Sequence, residues 1–210
     1  MQLNIRGTHA GIWQELEAIR PGVKQAVESV YAGLDHYTKR EVRDYEAGLL
    51  FILAEEVNRL DAMIFEIGTC WGWTAAIMAT AAPLARVITC TPNPGHIIKA
   101  RENLHKYPQV LVEGARSVDL LGHYALLDMI FVDGDHKAVE DDMPWFNALK
   151  PGGLMIFHDY CPEYTKPRPC RWVYDAVNRL AERTHTPDIL VIDDHEEGMA
   201  GFIRGEGEQI

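Results

Sequence analysis

Cysteine is scarce in this sequence, with four among 210 residues. Cys70, Cys90, Cys161 and Cys170 are too few for the disulfide framework of a small secreted domain, and two of them fall in segments that read as a buried strand or a strand-to-helix turn. That use of cysteine fits a reducing, cytoplasmic compartment. Basic charge is also in short supply: 20 Lys and Arg stand against 31 Asp and Glu, for a formal net charge of -11. This balance disfavours attraction to a phosphate backbone or an anionic bilayer. The expected partners are a small-molecule substrate and at most further copies of the chain, with no nucleic acid and no membrane.

Long apolar runs are missing too. The first twenty residues lack the basic end and apolar stretch of a secretory signal. No charge occurs between Glu66 and Arg86, but that run is rich in Gly, Ala and Thr and holds Pro83, so it reads as a buried turn and helix rather than a membrane span. No repeat, low-complexity tract or flexible linker interrupts the chain, and its length suits one compact unit.

What is present is alternation. From residue 61 onward, short apolar runs with β-branched residues alternate with segments of helical period, which predicts an α/β, Rossmann-like doubly wound sheet with helices on both faces. Seven strands are expected, at 62–67, 86–90, 109–113, 127–132, 153–158, 188–193 and 199–204. Helices are expected at 72–82, 95–106, 116–121, 137–149 and 170–184. Only residues 194–198 join the last two strands, too short for a crossover helix, so the last strand should be antiparallel. Residues 1–60 read as a helical N-terminal cap to the 61–210 domain, with Tyr45, Leu49, Leu50, Leu53 and Val57 on one apolar face.

The segment Phe65-Glu66-Ile67-Gly68-Thr69-Cys70-Trp71-Gly72-Trp73-Thr74 ends a strand and opens a helix, with glycines where a sharp turn and close ligand approach need them. A tight turn alone accounts for two glycines, so the context decides. The dinucleotide fingerprint Gly-x-Gly-x-x-Gly is absent because Cys70 holds its middle place, and an acidic residue stands two positions before the first glycine.

These residues resemble the class I S-adenosylmethionine-dependent methyltransferases, in particular the catechol O-methyltransferase-like and macrolide-sugar O-methyltransferase-like branches. The resemblance runs through Glu66-Ile-Gly-x-x-x-Gly72, Val87 to Pro94, Val112-Glu-Gly-Ala115, Leu127 to Asp133 and Lys150-Pro-Gly-Gly153, in family order. It implies S-adenosylmethionine as cofactor, held by Glu66, Gly68, Thr69, Trp71, Gly72, Thr91, Asn93, Gly114, Ala115 and Asp133. Thr91, with Asn93 nearby, stands where the family has an acid for the ribose hydroxyls, and a neutral side chain binds them less strongly than a carboxylate.

Asp133-Gly134-Asp135-His136 follows the fourth strand and His158-Asp159 ends the fifth, so both groups should meet at the carboxyl edge of the sheet. The resemblance implies a divalent metal ion, magnesium or manganese, at Asp133 and Asp159, with His158 as the third expected ligand although the family has an acidic residue at that place. One imidazole among oxygen ligands suits magnesium poorly and manganese, iron or zinc better. His136 lies three residues after Asp133, where these families place a Lys or His general base, and its ordinary pKa of about 6.5 suits that work. Lys137 is the second candidate base.

The expected activity is metal-assisted O-methylation of a small hydroxylated substrate. Two other classes share the architecture. A non-catalytic or divergent cofactor-binding protein of the same fold is favoured only by Thr91 and His158. A nicotinamide-dependent oxidoreductase is disfavoured by the closing hairpin and the missing glycine fingerprint. Cys161 and Cys170 with His158 invite a zinc reading, but lack the close Cys-x-x-Cys pairing of structural sites. Trp71, Trp73, Trp145, Tyr160 and Tyr164 are pocket candidates that serve equally as core. Glu140, Asp141 and Asp142 read as a solvated first helical turn.

Overall fold

The computed structural model describes residues 9–34, 42, 44–160, 168–184, 190–193 and 198–210. The strands are β1 (Met63–Ile67), β2 (Arg86–Cys90), β3 (Val110–Glu113), β4 (Leu127–Val132), β5 (Leu149–His158), β6 (Leu190–Asp193) and β7 (Met199–Ile203). The helices are α1 (His9–Ile19), α2 (Val23–Ala32), α3 (Asp44–Glu56), α4 (Trp73–Ala81), α5 (Pro94–Leu104), α6 (Val139–Asp142) and α7 (Arg168–Thr184). The strands form one seven-stranded sheet in the order β3-β2-β1-β4-β5-β7-β6, the Rossmann-like arrangement expected. Among the described residues no helix is long and apolar enough to cross a membrane.

The chain divides into two compact units. One contains Phe65–Gly68 and Ala115–Ile210, the other Gly7–Ile64 and Thr69–Gly114. In the first unit β4, Leu-Asp-Met-Ile-Phe-Val, is buried along its whole length, which is why its sequence is nearly continuous in apolar residues instead of alternating. It pairs in parallel with β5, Val132 opposite Phe157, so both strands end at one edge. β7 runs antiparallel to both β5 and β6, with His158 opposite Met199. The reversed strand therefore lies inside this end of the sheet, and β6 forms its edge.

In the second unit β2 and β3 pair in parallel, and α1, α2 and α4 pack against α3. The apolar face expected on α3 understates its burial: Tyr45 through Ile52 and Ala54 are all enclosed, so the helix is wrapped on every side. Asp44 and Glu46 stand in its first turn, where the helix dipole favours negative charge. α5 starts at Pro94 because Asn93 caps it, its side-chain oxygen accepting from the backbone N–H of Gly95 and His96.

The helix expected over 137–149 is instead three short pieces: a 3-10 turn at His136–Ala138, α6, and a 3-10 turn at Met143–Ala148. Pro144 lies inside that stretch and has no N–H for a helical ladder. The segment expected to be helical at 116–121 is likewise a single 3-10 turn, Ser117–Leu120.

Candidate functional site

β4 and β5 are parallel neighbours, so the residues that follow them emerge at the same edge. Asp133 begins the turn after β4, and its N–H donates to the carbonyl of Ile67 at 2.8 Å. Asp135 caps the following turn by accepting from the Lys137 N–H, which places the His136 side chain beside the end of β5. Asp159 has φ +61°, in the left-handed region that a non-glycine residue occupies at a cost of about 1–3 kcal/mol.

His136 Nε2 lies 2.5 Å from Asp159 Oδ2. His158 Nδ1 lies 3.2 Å from Asp133 Oδ1 and 3.4 Å from Asp159 Oδ2. The four side chains thus form one cluster, with His158 deeply buried and His136 open on one side. Asp159 beside it holds His136 above the ordinary imidazole value, against the opposing effect of burial. Burial pushes the Asp159 carboxyl up, but the two imidazoles outweigh it and hold the group well below the usual carboxylate range.

A divalent cation fits this donor set. One donor atom from each of Asp133, His136 and Asp159 lies within 4.8 Å of the others, so the three could hold one ion together. His136 Nε2 is sealed from solvent and makes no aligned hydrogen bond despite its close ion-pair contact. Lys137 is placed differently, exposed and with its ammonium 5.4 Å from the centre of the Trp172 ring. Trp172 had no signal in the sequence, because its place beside Lys137 depends on how α7 packs against the His136–Ala138 turn.

Asp142 is the other finding that the sequence hid. It is 4% exposed instead of solvated, receives a hydrogen bond from the Ser117 hydroxyl, and is pushed up to about 6 by burial. With Val132, Gly134, Asp135, His136, Val139 and Val173 it lines a narrow crevice, too tight for a water molecule, next to the cluster.

The remaining candidates are placed as follows. Glu66 is fully buried at the end of β1. Gly68 has φ +104°, and a Cβ there would stand 2.0 Å from the Asp133 carbonyl oxygen, so the close approach that requires glycine is to the end of β4. Ala115 is half-buried. In the other unit, Thr69 and Thr89 share a hydroxyl hydrogen bond of 2.6 Å, Gly72 caps α4 at φ +85°, and the Trp71 carbonyl accepts from Asn103. Thr91 is 6% exposed and its hydroxyl oxygen accepts from the Asn93 N–H. Gly114 is exposed.

Of the aromatic candidates, Trp145 is fully buried and stacks on Phe65 at 4.1 Å, and Trp73 packs on Tyr31 at 5.0 Å. Tyr160 is buried against Tyr174 at 5.1 Å, and burial raises its phenol above the ordinary value. Cys161, the 162–167 stretch with Tyr164, and the Cys170 side chain lie outside the described residues, and the zinc reading with them.

Comparison with known proteins agrees with this architecture. Residues 65–160 match the family described as Methyltransferase domain. No curated protein matches the chain by sequence. Among solved structures, cofactor-bound Rv0187 from MTB is similar at TM-score 0.67 and 20% identity, over 96% of this chain and 100% of that one. The O-methyltransferase from Bacillus cereus in complex with SAH gives TM-score 0.61 and 20% identity, over 91% and 96%. The O-methyltransferase TomG from Streptomyces achromogenes, involved in tomaymycin synthesis and in complex with SAM, gives TM-score 0.62 and 17% identity, over 91% and 95%.

Proposed function

From the match of residues 65–160 to a methyltransferase domain family, we propose that this chain is a class I methyltransferase that transfers the methyl group of S-adenosylmethionine to a hydroxyl oxygen of a small substrate. The observation that carries the reading is the Asp133, His136, His158 and Asp159 cluster at the joint end of β4 and β5. Two similar structures named as O-methyltransferases, one with SAH and one with SAM, support oxygen as acceptor and this cofactor.

In the reaction the carbon–sulfur bond breaks as the carbon–oxygen bond forms, sulfur keeps the electron pair, and the hydroxyl gives up its proton. A neutral alcohol is a poor nucleophile, so the site must hold the acceptor in line and stabilise negative charge on its oxygen. The turn from Glu66 to Gly72 would hold the methionine part of the cofactor, Thr91 and Asn93 the ribose, Gly114 and Ala115 the adenine, with Asp133 alongside. A divalent ion bound at the cluster would supply Lewis acidity toward the acceptor hydroxyl. His136 and Lys137 are the side chains there that can handle its proton.

The test is transfer of a labelled methyl group to a panel of phenols, sugars and other small hydroxylated compounds, with products fragmented to locate the methyl. A methyl ether is the expected product. Methyl found only on nitrogen would contradict the oxygen assignment.

A further inference from the structure

Two histidines face the same pair of carboxylates, and they do so in different ways. His158 has a side chain only 2% exposed, and its Nδ1 lies 3.2 Å from Asp133 Oδ1 and 3.4 Å from Asp159 Oδ2. A ring nitrogen set between two carboxylate oxygens carries the proton, because a lone pair there would face two negative charges. Nδ1–H therefore donates to both oxygens and has no lone pair to offer a cation.

His136 presents the opposite case. Its Nε2 approaches Asp159 Oδ2 to 2.5 Å, is closed off from water, and makes no aligned hydrogen bond. Two lone-pair atoms that close repel each other unless a proton or a metal ion is shared between them. The same nitrogen and one oxygen each from Asp133 and Asp159 are the three donor atoms within 4.8 Å of one another. The left-handed backbone of Asp159, φ +61°, turns its carboxylate to where both imidazoles reach it.

We infer that the cation of this site is held by Asp133, His136 and Asp159, and that His158 is a positioning residue that fixes the two carboxylates without touching the metal. This moves the imidazole ligand from His158 to His136, which the sequence suggests as the base, and it rests on the metal-assisted reading of the same site. Two carboxylates and one imidazole form a mixed oxygen and nitrogen set, which favours manganese, iron or zinc over magnesium. With Nε2 committed to the metal, the acceptor proton leaves to water.

Manganese(II) alone is the probe, added to the full chain and followed by electron paramagnetic resonance. Loss of the free-ion signal reads affinity, and pulsed measurement reads whether a nitrogen is bound directly. The wild-type chain is expected to bind one ion with one nitrogen coupling. His136→Ala should lose the coupling and weaken binding by about a hundredfold or more, at least the upper range for removal of an outer partner. His158→Gln, which keeps N–H donors for both carboxylates, should retain the coupling and weaken binding by about tenfold. His136→Asn replaces the alanine variant if that one fails to fold by thermal melting.

A coupling that survives His136→Ala and disappears in His158→Gln would overturn the inference in favour of His158 as ligand. A wild-type chain that binds S-adenosylhomocysteine and no manganese would overturn it while leaving the methyltransferase reading intact. Manganese bound through His136 in a chain with no affinity for S-adenosylhomocysteine would uphold the metal assignment and sink that reading instead.

Discussion

Asp142→Asn should make the protein more stable at pH 8, and by about half as much at pH 5, where the unfolded carboxyl is already ionised. The wild-type carboxyl is 4% exposed and is raised from the ordinary 3.8 to about 6 by burial, with Asp141 and Asp135 adding to the shift and the Ser117 hydroxyl opposing it. A folded-state value above the unfolded one means that the folded chain holds the proton more tightly. The stability this contributes is fully present below about 3.8 and is lost as pH rises through about 6. At pH 8 the buried charge therefore costs about 3 kcal/mol relative to the protonated group.

The amide removes that charge and still offers the Ser117 hydroxyl an acceptor. It should recover about 1–3 kcal/mol at pH 8, the smaller figure applying if the amide nitrogen finds no partner. Urea unfolding of both chains at pH 5 and pH 8 measures this. Equal destabilisation of the variant at both pH values would refute the reasoning, because it would show that the carboxyl carries no buried charge.

Gly68→Ala should destabilise the fold by about 3 kcal/mol or more, because its Cβ would lie 2.0 Å from the Asp133 carbonyl oxygen in backbone at φ +104°; a thermal melt within a degree of wild type would contradict this. Asn93→Ala should cost about 1 kcal/mol through loss of the α5 cap, read by urea unfolding, and should also lower affinity for S-adenosylhomocysteine. Unchanged affinity in the folded variant would take Asn93 off the ribose. Lys150→Ala should cost about 3 kcal/mol, since Lys150 pairs at 2.5 Å with the buried Asp128 and the variant would lose that charge partner. Double substitution with Asp128→Asn should recover much of that loss.

The sheet was legible because parallel strands buried on both faces must be apolar without alternation, as in β4, and because five residues between the last two strands allow only a reversal. The inward place of β7 was not legible, since strand order is set by packing across the sheet and hairpin length leaves it open. The 137–149 stretch misled through its helical period, which Pro144 and short 3-10 turns interrupt.

At the site, the juxtaposition of Asp133 with His158 and Asp159 followed from the placement of β4 and β5 alone. The different ring placements of His136 and His158 did not, because they depend on the Asp135 cap and on the backbone of Asp159. Asp142 was hidden for a related reason: its two acidic neighbours are exposed, and only the short α6 turns this one inward against Ser117.

Calorimetric titration of the full chain with S-adenosylhomocysteine, and separately with NADH, tests the account at its centre. Saturable binding of one S-adenosylhomocysteine per chain is expected, weakened but not abolished by Thr91 in place of an acid, with no heat from NADH. Binding of NADH with no response to S-adenosylhomocysteine would contradict it.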